Sequence, residues 1–185
     1  MKTKNRYVAL LRAVNVGGTS IIKMEDLRKL FESLGFDDVV TYIQSGNVIF
    51  GSPETNTAKL ARLIEGKLKV RMGHPVTVFV LAPAQLKKAA SANPFDPERH
   101  EKEQYCQIVF LSQEPSAANT KALMALQGKE YRFSVLGTVL YMAYDKKYAG
   151  PKRRTVNFEK VLGAAGTART WKVVDKLIEL SQPPE

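Results

Sequence analysis

The sequence predicts an α+β fold: a split βαβ unit of ferredoxin-like character (βαββαβ), then a second, incomplete copy with extra C-terminal helices. Three observations predict it. Within the first 82 residues, apolar runs of strand length alternate with helical patterns in the order strand, helix, strand, strand, helix, strand. A four-residue turn, Gln44-Ser45-Gly46-Asn47, separates the second and third of these runs in the manner of a tight hairpin. A similar order restarts at Gln104.

Each element has its reason in its residues. Tyr7 to Val14 (YVALLRAV) is an apolar run with the look of a buried strand. Asn15-Val16-Gly17-Gly18 then turns the chain, its glycines free to take positive φ. From Lys23 to Leu34, Met24, Leu27, Leu30, Phe31 and Leu34 recur at helical spacing, and Gly35 supplies a left-handed stop. Val39–Ile43 and Val48–Phe50 read as the hairpin strands. Residues 53–57 open a helix reaching about Arg71, with Leu60, Leu63, Ile64 and Leu68 on one face, and Val76–Leu81 is a further strand.

The second part begins with a connecting helix, Pro83–Ala92, closed by Asn93-Pro94. Gln104–Leu111 is a strand and Ser116–Leu126 a helix capped by Ser116. Glu130–Leu136 and Val139–Tyr144 form a hairpin around Gly137-Thr138. Helical patterns at Val156–Leu162 and Thr170–Leu180 finish the chain, with no final strand visible. The expected division is 1–82 for the first unit, 83–103 for a connector, and 104–185 for the second unit.

Composition bounds the function. Of 185 residues, 44% are apolar and 25% charged, enough apolar content for a folded core and too much for a disordered chain. No run of about 18 apolar residues suits a bilayer, so no membrane partner is expected. The lone Cys106 excludes an internal disulfide and fits a reducing, cytoplasmic location. His74 and His100 lack companions at ligand spacing, so neither a metal nor a cofactor is expected.

The net charge of +10 is shared evenly, with 12 bases and 7 acids before residue 82 against 16 and 11 after it. Its densest cluster is Lys146, Lys147, Lys152, Arg153 and Arg154, a loop able to contact phosphates or simply to keep the protein in solution.

The split βαβ order has a geometric consequence. The loop after the first strand, the hairpin, and the turn after the second helix all emerge at one end of the sheet. Residues 15–20, 44–47 and 71–75 are therefore expected to share a rim. There lie Arg12, Asn15, Gly17, Gly18, Lys23, Tyr42, Gln44, Ser45, Gly46, Asn47 and His74. A glycine turn leading into a helix can aim amides at an anion, and Lys23 and Arg12 can add charge-assisted hydrogen bonds. The same glycines and amides also serve ordinary turns, and the lysine-serine ending of a phosphate loop is absent.

Catalytic signals are weak. Ser45 lies in a hairpin rather than a nucleophile elbow, and a Ser45–His74 pair would have no third partner to name. Cys106 sits in an apolar strand, as inert cysteines do. Trp171 anchors the last helix, and Tyr141 and Tyr144 read as packing residues in an alternating strand.

The segments Arg12-Ala13-Val14-Asn15-Val16-Gly17-Gly18, Lys23-Met24 with Leu27, Leu34-Gly35-Phe36, and Thr41-Tyr42-Ile43-Gln44-Ser45-Gly46-Asn47-Val48 with Phe50 resemble the bacterial family known as domain of unknown function 1697. The likeness is dense over residues 7–50. It resumes near the end in Thr167, Arg169, Trp171, Lys176 and Leu177, where Thr170, Lys172 and Val173 replace polar residues of the family pattern. The resemblance implies an α+β fold and no settled reaction. It adds Arg169 to the candidate residues and makes the two glycine-bearing loops the family's most distinctive motif.

Three functions compete. The first is an uncharacterised cytoplasmic protein whose Asn15–Gly18 loop and Gln44–Asn47 hairpin bind a small anionic ligand, with enzymatic activity undecided. The second is a nucleic-acid-binding module using the basic loop; the first strand, with Tyr7 as its sole aromatic, counts against it. The third is a non-catalytic homodimer or partner-docking protein whose edge strands pair between chains. Oligomeric state is not legible.

Overall fold

Runs of apolar residues bounded by turns make the strands, and they assemble into two four-stranded antiparallel sheets. The computed structural model describes residues 5–17, 20–95, 104–148 and 156–182. Among these, the chain runs β1 (Asn5–Leu11), α1 (Met24–Glu32), β2 (Asp37–Tyr42), β3 (Asn47–Ser52), α2 (Thr57–Met72), β4 (Val78–Leu81), α3 (Pro83–Ser91) and β5 (Gln104–Leu111). It continues through α4 (Ala117–Met124), β6 (Tyr131–Leu136), β7 (Val139–Asp145), a 3₁₀ turn (Lys146–Tyr148), α5 (Phe158–Leu162), β8 (Gly166–Thr170) and α6 (Trp171–Leu180). Contacts divide the chain into two units, Met1–Lys87 with Lys176–Glu185, and Lys88–Asp175.

In the first unit the strand order is β2-β3-β1-β4, so β1 and β3 are central. Their register pairs Tyr7 with Phe50 and Ala9 with Val48. These residues face a core completed by Leu27, Leu30 and Phe31 of α1 and Leu60, Ile64 and Leu68 of α2. The alternate residues Val8, Leu10 and Ile49 are equally inaccessible, which is why β1 and β3 read as unbroken apolar runs rather than alternating ones. Phe31, Phe36 and Phe50 pack mutually in tilted and edge-to-face arrangements with centroids 4.5–5.9 Å apart. Asn56 caps α2 by accepting from the Lys59 N–H, and Gly73 ends the helix at φ 76°.

The second unit has strand order β6-β7-β5-β8. Val109, Leu111, Tyr131, Phe133, Leu140 and Met142 build its core against Leu123 of α4 and Leu162 of α5. Ser116 caps α4 as expected, accepting from the Asn119 N–H.

The second part does have a final strand, which corrects the sequence reading: β8 pairs antiparallel with β5 from Gln107↔Thr170 to Leu111↔Gly166. The strand GTART carries no large apolar side chain, and local β-propensity is correspondingly low. Its place is set by close approach, since a Cβ on Gly166 would lie 2.9 Å from Val109 Cγ1 and 3.0 Å from Phe158 Cε2. The helix at 158–162 thus lies between β7 and β8 in sequence rather than being a C-terminal addition, and only α6 comes after the fourth strand.

Candidate functional site

β1 ends at Leu11, and the chain leaves it through a bend in which Ala13 and Asn15 both take positive φ, 56° and 55°. Asn15 organises the loop that leads into α1. Its Oδ1 accepts from the Ile22 N–H at 2.9 Å, and its Nδ2 donates to the Ile22 carbonyl at 3.0 Å and the Gln44 carbonyl at 2.8 Å. One carboxamide therefore closes the 15–22 loop and ties it to the β2–β3 hairpin. Two backbone bonds complete the rim: Leu11 N–H to Gly46 O at 2.8 Å and Arg12 N–H to Thr77 O at 2.9 Å. The third loop joins through His74, whose Nε2 lies 3.3 Å from Ser20 Oγ. Asn15 and Ser20, the 44–47 hairpin and the turn at His74 are thus neighbours on one edge of the first sheet.

Within that edge, the hairpin residues are engaged in building it. Asn47 is fully buried, and its Nδ2 donates to Tyr42 O and Ser45 Oγ. Gly46 sits at φ 70° where a Cβ would meet Val14 Cγ2 at 2.3 Å, so the backbone approach requires glycine. Ile43 lies nearby at φ 47°, a costly conformation for a β-branched residue. Gln44 is exposed, Tyr42 and Arg12 are half-buried, and Gly17 is exposed at φ 62°. Gly18 lies outside the described residues, as do His100, Lys152, Arg153 and Arg154.

Beside the pinned hairpin lies an open cleft of about 390 Å³ lined by Ser20, Ile21, Ile22, Lys23, Asp26, Arg71, Met72 and His74. Lys23 is the N-cap residue of α1 and makes no side-chain capping bond. The first amides of a helix have no intrahelical acceptor, so this end of α1 presents donors and a partial positive charge. Arg71 reaches Asp26 at 3.3 Å across the cleft. Two cations and an imidazole thus face one carboxylate. The range of the first loop points to this place, but Ser20 and Asp26 carry no signal of their own in the sequence. Helical spacing gives Asp26 no special standing, and Ser20 matters through its contact with a residue 54 positions away.

Other candidates resolve simply. His74 turns to Ser20 Oγ and Pro75 O, not to Ser45. Cys106 is buried, exchanges hydrogen bonds with Asn93, and has its thiol pKa pushed up by burial. Arg169 lies on β8 in the second unit, 7% exposed, donating to Thr167 Oγ1 and Ala168 O; burial pushes its pKa down to about 10. No group of three or more metal-ligating side chains occurs among the described residues, and no helix there is long and apolar enough to cross a membrane.

A sequence model described as "Protein of unknown function (DUF1697)" matches residues 4–141. Among solved structures, the chain is similar to the conserved bacterial protein SP0830 from Streptococcus pneumoniae, at 21% identity and a TM-score of 0.70, over 97% of this chain and 100% of that one. No curated protein matches.

Proposed function

We propose, for a chain that belongs to the DUF1697 family of proteins of unknown function, that the loop rim of its first unit binds a small anionic ligand such as a phosphate or carboxylate. The observation that carries this reading is the cleft where Ser20, Lys23, Arg71 and His74 meet beside the uncapped start of α1. A phosphate there would accept from the helix amides and from Lys23, while Arg71 would exchange its exposed Asp26 partner for the ligand. In this reading Asn15, Ser45, Gly46 and Asn47 are the frame, and Lys23 with the 71–74 turn makes the contacts. Arg12, Tyr42 and Gln44 do not line this cleft. Supporting the choice is the strain at Ala13, Ser20 and Ile43, three non-glycine residues held at positive φ around one edge.

We also assign each unit to the ferredoxin-like class. The element order βαββαβ and the strand orders β2-β3-β1-β4 and β6-β7-β5-β8 support that assignment.

Thermal-shift measurement against phosphate, citrate and nucleoside monophosphates tests the anion site. A ligand at a hundredfold excess over its Kd stabilises by about 2.7 kcal/mol. The stabilisation is expected to vanish in Lys23→Ala/Arg71→Ala and to survive Lys59→Ala, a distant exposed lysine. No stabilisation by any anion, or equal stabilisation of both variants, overturns the reading.

A further inference from the structure

We infer, on the basis of the anion-binding reading of this rim, that its ligand is a small polyol carrying two anionic groups, a sugar bisphosphate in chemical class, laid along the groove between α1 and α2. A second cavity, of about 520 Å³, is lined by Asp26, Lys29, Leu30, Lys67, Val70 and Arg71. It shares Asp26 and Arg71 with the cleft described above. The ion pair between these two residues, at 3.3 Å, is therefore the partition between the cavities.

The two linings run in opposite directions along the helices. On α1 they pass from Lys23 through Asp26 to Lys29, and on the facing side from His74 through Arg71 to Lys67. Charge along the groove is thus ordered cation, acid, cation: Lys23 with Arg71, then Asp26, then Lys29 with Lys67. At about 1.5 Å per helical residue, Lys23 to Lys29 spans about 9 Å and Arg71 to Lys67 about 6 Å. Two anionic groups at that separation each meet a pair of cations.

Asp26 decides what lies between them. A continuous polyphosphate would set a further negative group against its carboxylate, whereas hydroxyl groups donate to it. The partition itself is weak, since the Arg71 and Asp26 side chains are 61% and 38% exposed, and a phosphate can take the guanidinium from so exposed a pair. Lys29 is held by Glu25 at 2.7 Å in a pair that is likewise exposed, and Lys67 forms no ion pair with a described residue. Leu30, nearly buried, and Val70, fully open to solvent, give the groove an apolar floor and lip for the carbon face of the ligand. A ligand that reaches both cation pairs makes its second contact intramolecularly and so binds more tightly than either group alone.

Isothermal titration calorimetry of the full chain with fructose 1,6-bisphosphate, fructose 6-phosphate, tripolyphosphate and inorganic phosphate tests this. The bisphosphate is expected to bind at least about tenfold tighter than the monophosphate, and tighter than tripolyphosphate despite the latter's denser charge. Lys67→Ala is expected to bring the bisphosphate down to the affinity of the monophosphate, and Lys59→Ala, away from the groove, to change neither. Asp26→Asn is expected to close the gap between tripolyphosphate and the bisphosphate. Lys67 is exposed on α2 and alanine favours a helix, so the variant keeps its fold, as melting checks. A bisphosphate no tighter than the monophosphate, with the monophosphate still dependent on Lys23 and Arg71, overturns the inference and leaves the anion site standing. Tripolyphosphate binding as tightly as the bisphosphate overturns it too, since attachment is then by charge alone. Absent binding of all four probes overturns the inference and the anion site together.

Discussion

The Asn15 Nδ2 donates to the Gln44 carbonyl at 2.8 Å, joining two loops 29 residues apart in sequence. The same side chain also holds both backbone groups of Ile22, so both its donors and one of its two acceptor positions are spent inside the chain.

Asn15→Ala removes three hydrogen bonds and leaves an alanine at φ 55°. A loss of about 2–4 kcal/mol is expected from the unmade bonds and the left-handed backbone together. Asn15→Gly keeps the first penalty and relieves the second, so it is expected to fall between alanine and wild type in urea unfolding. Alanine and glycine variants of equal stability would show that the backbone conformation carries no cost.

Gly46→Ala drives a Cβ to 2.3 Å from Val14 Cγ2 and 2.8 Å from Leu11 Cβ. Overpacking and positive φ together are expected to cost at least about 3 kcal/mol. Gly17 has a similar φ of 62° with nothing within 4 Å of an added Cβ. Its alanine variant is expected to lose only the backbone share, about 1–2 kcal/mol. Chemical denaturation of the two side by side separates steric clash from conformational cost.

Burial lowers the Arg169 pKa to about 10, yet the guanidinium stays charged near neutrality. In Arg169→Lys the same burial would hold the ammonium's pKa below its ordinary value. Between the lowered native value and the unfolded one the unfolded chain binds more protons than the native one, so stability rises with pH across that window. The variant is expected to gain stability relative to wild type as the pH is raised through that window, read from urea midpoints. Parallel pH profiles for the two proteins would refute it.

Cys106 is buried, and its raised pKa keeps the thiolate scarce. A disulfide reagent at about pH 8 is expected to label it only at the rate of unfolding, and rapidly in roughly 6 M guanidinium. Fast labelling of the native protein would contradict the burial.

Much of the first unit is legible in the sequence because its signals are local. YVALLRAV announces a strand buried on both faces, Gln44–Asn47 a hairpin turn, and Gly35 a helix stop, each from neighbours in the chain. Convergence of the three loops is a consequence of element order alone. The features that stay hidden depend on partners far away in sequence. β8 is a strand because Gly166 lets its backbone close on Val109 and Leu111, not because GTART favours extension.

By itself, then, the sequence determined the succession of elements and the residues that turn the chain, since backbone propensity and apolar periodicity act over a few residues. Only the tertiary structure decided which polar groups are consumed in holding loops together and which still face solvent. Asn15 and Asn47 are hydrogen-bonded inward while Lys23 is left exposed, and that division is made by packing between strands and loops remote in the chain.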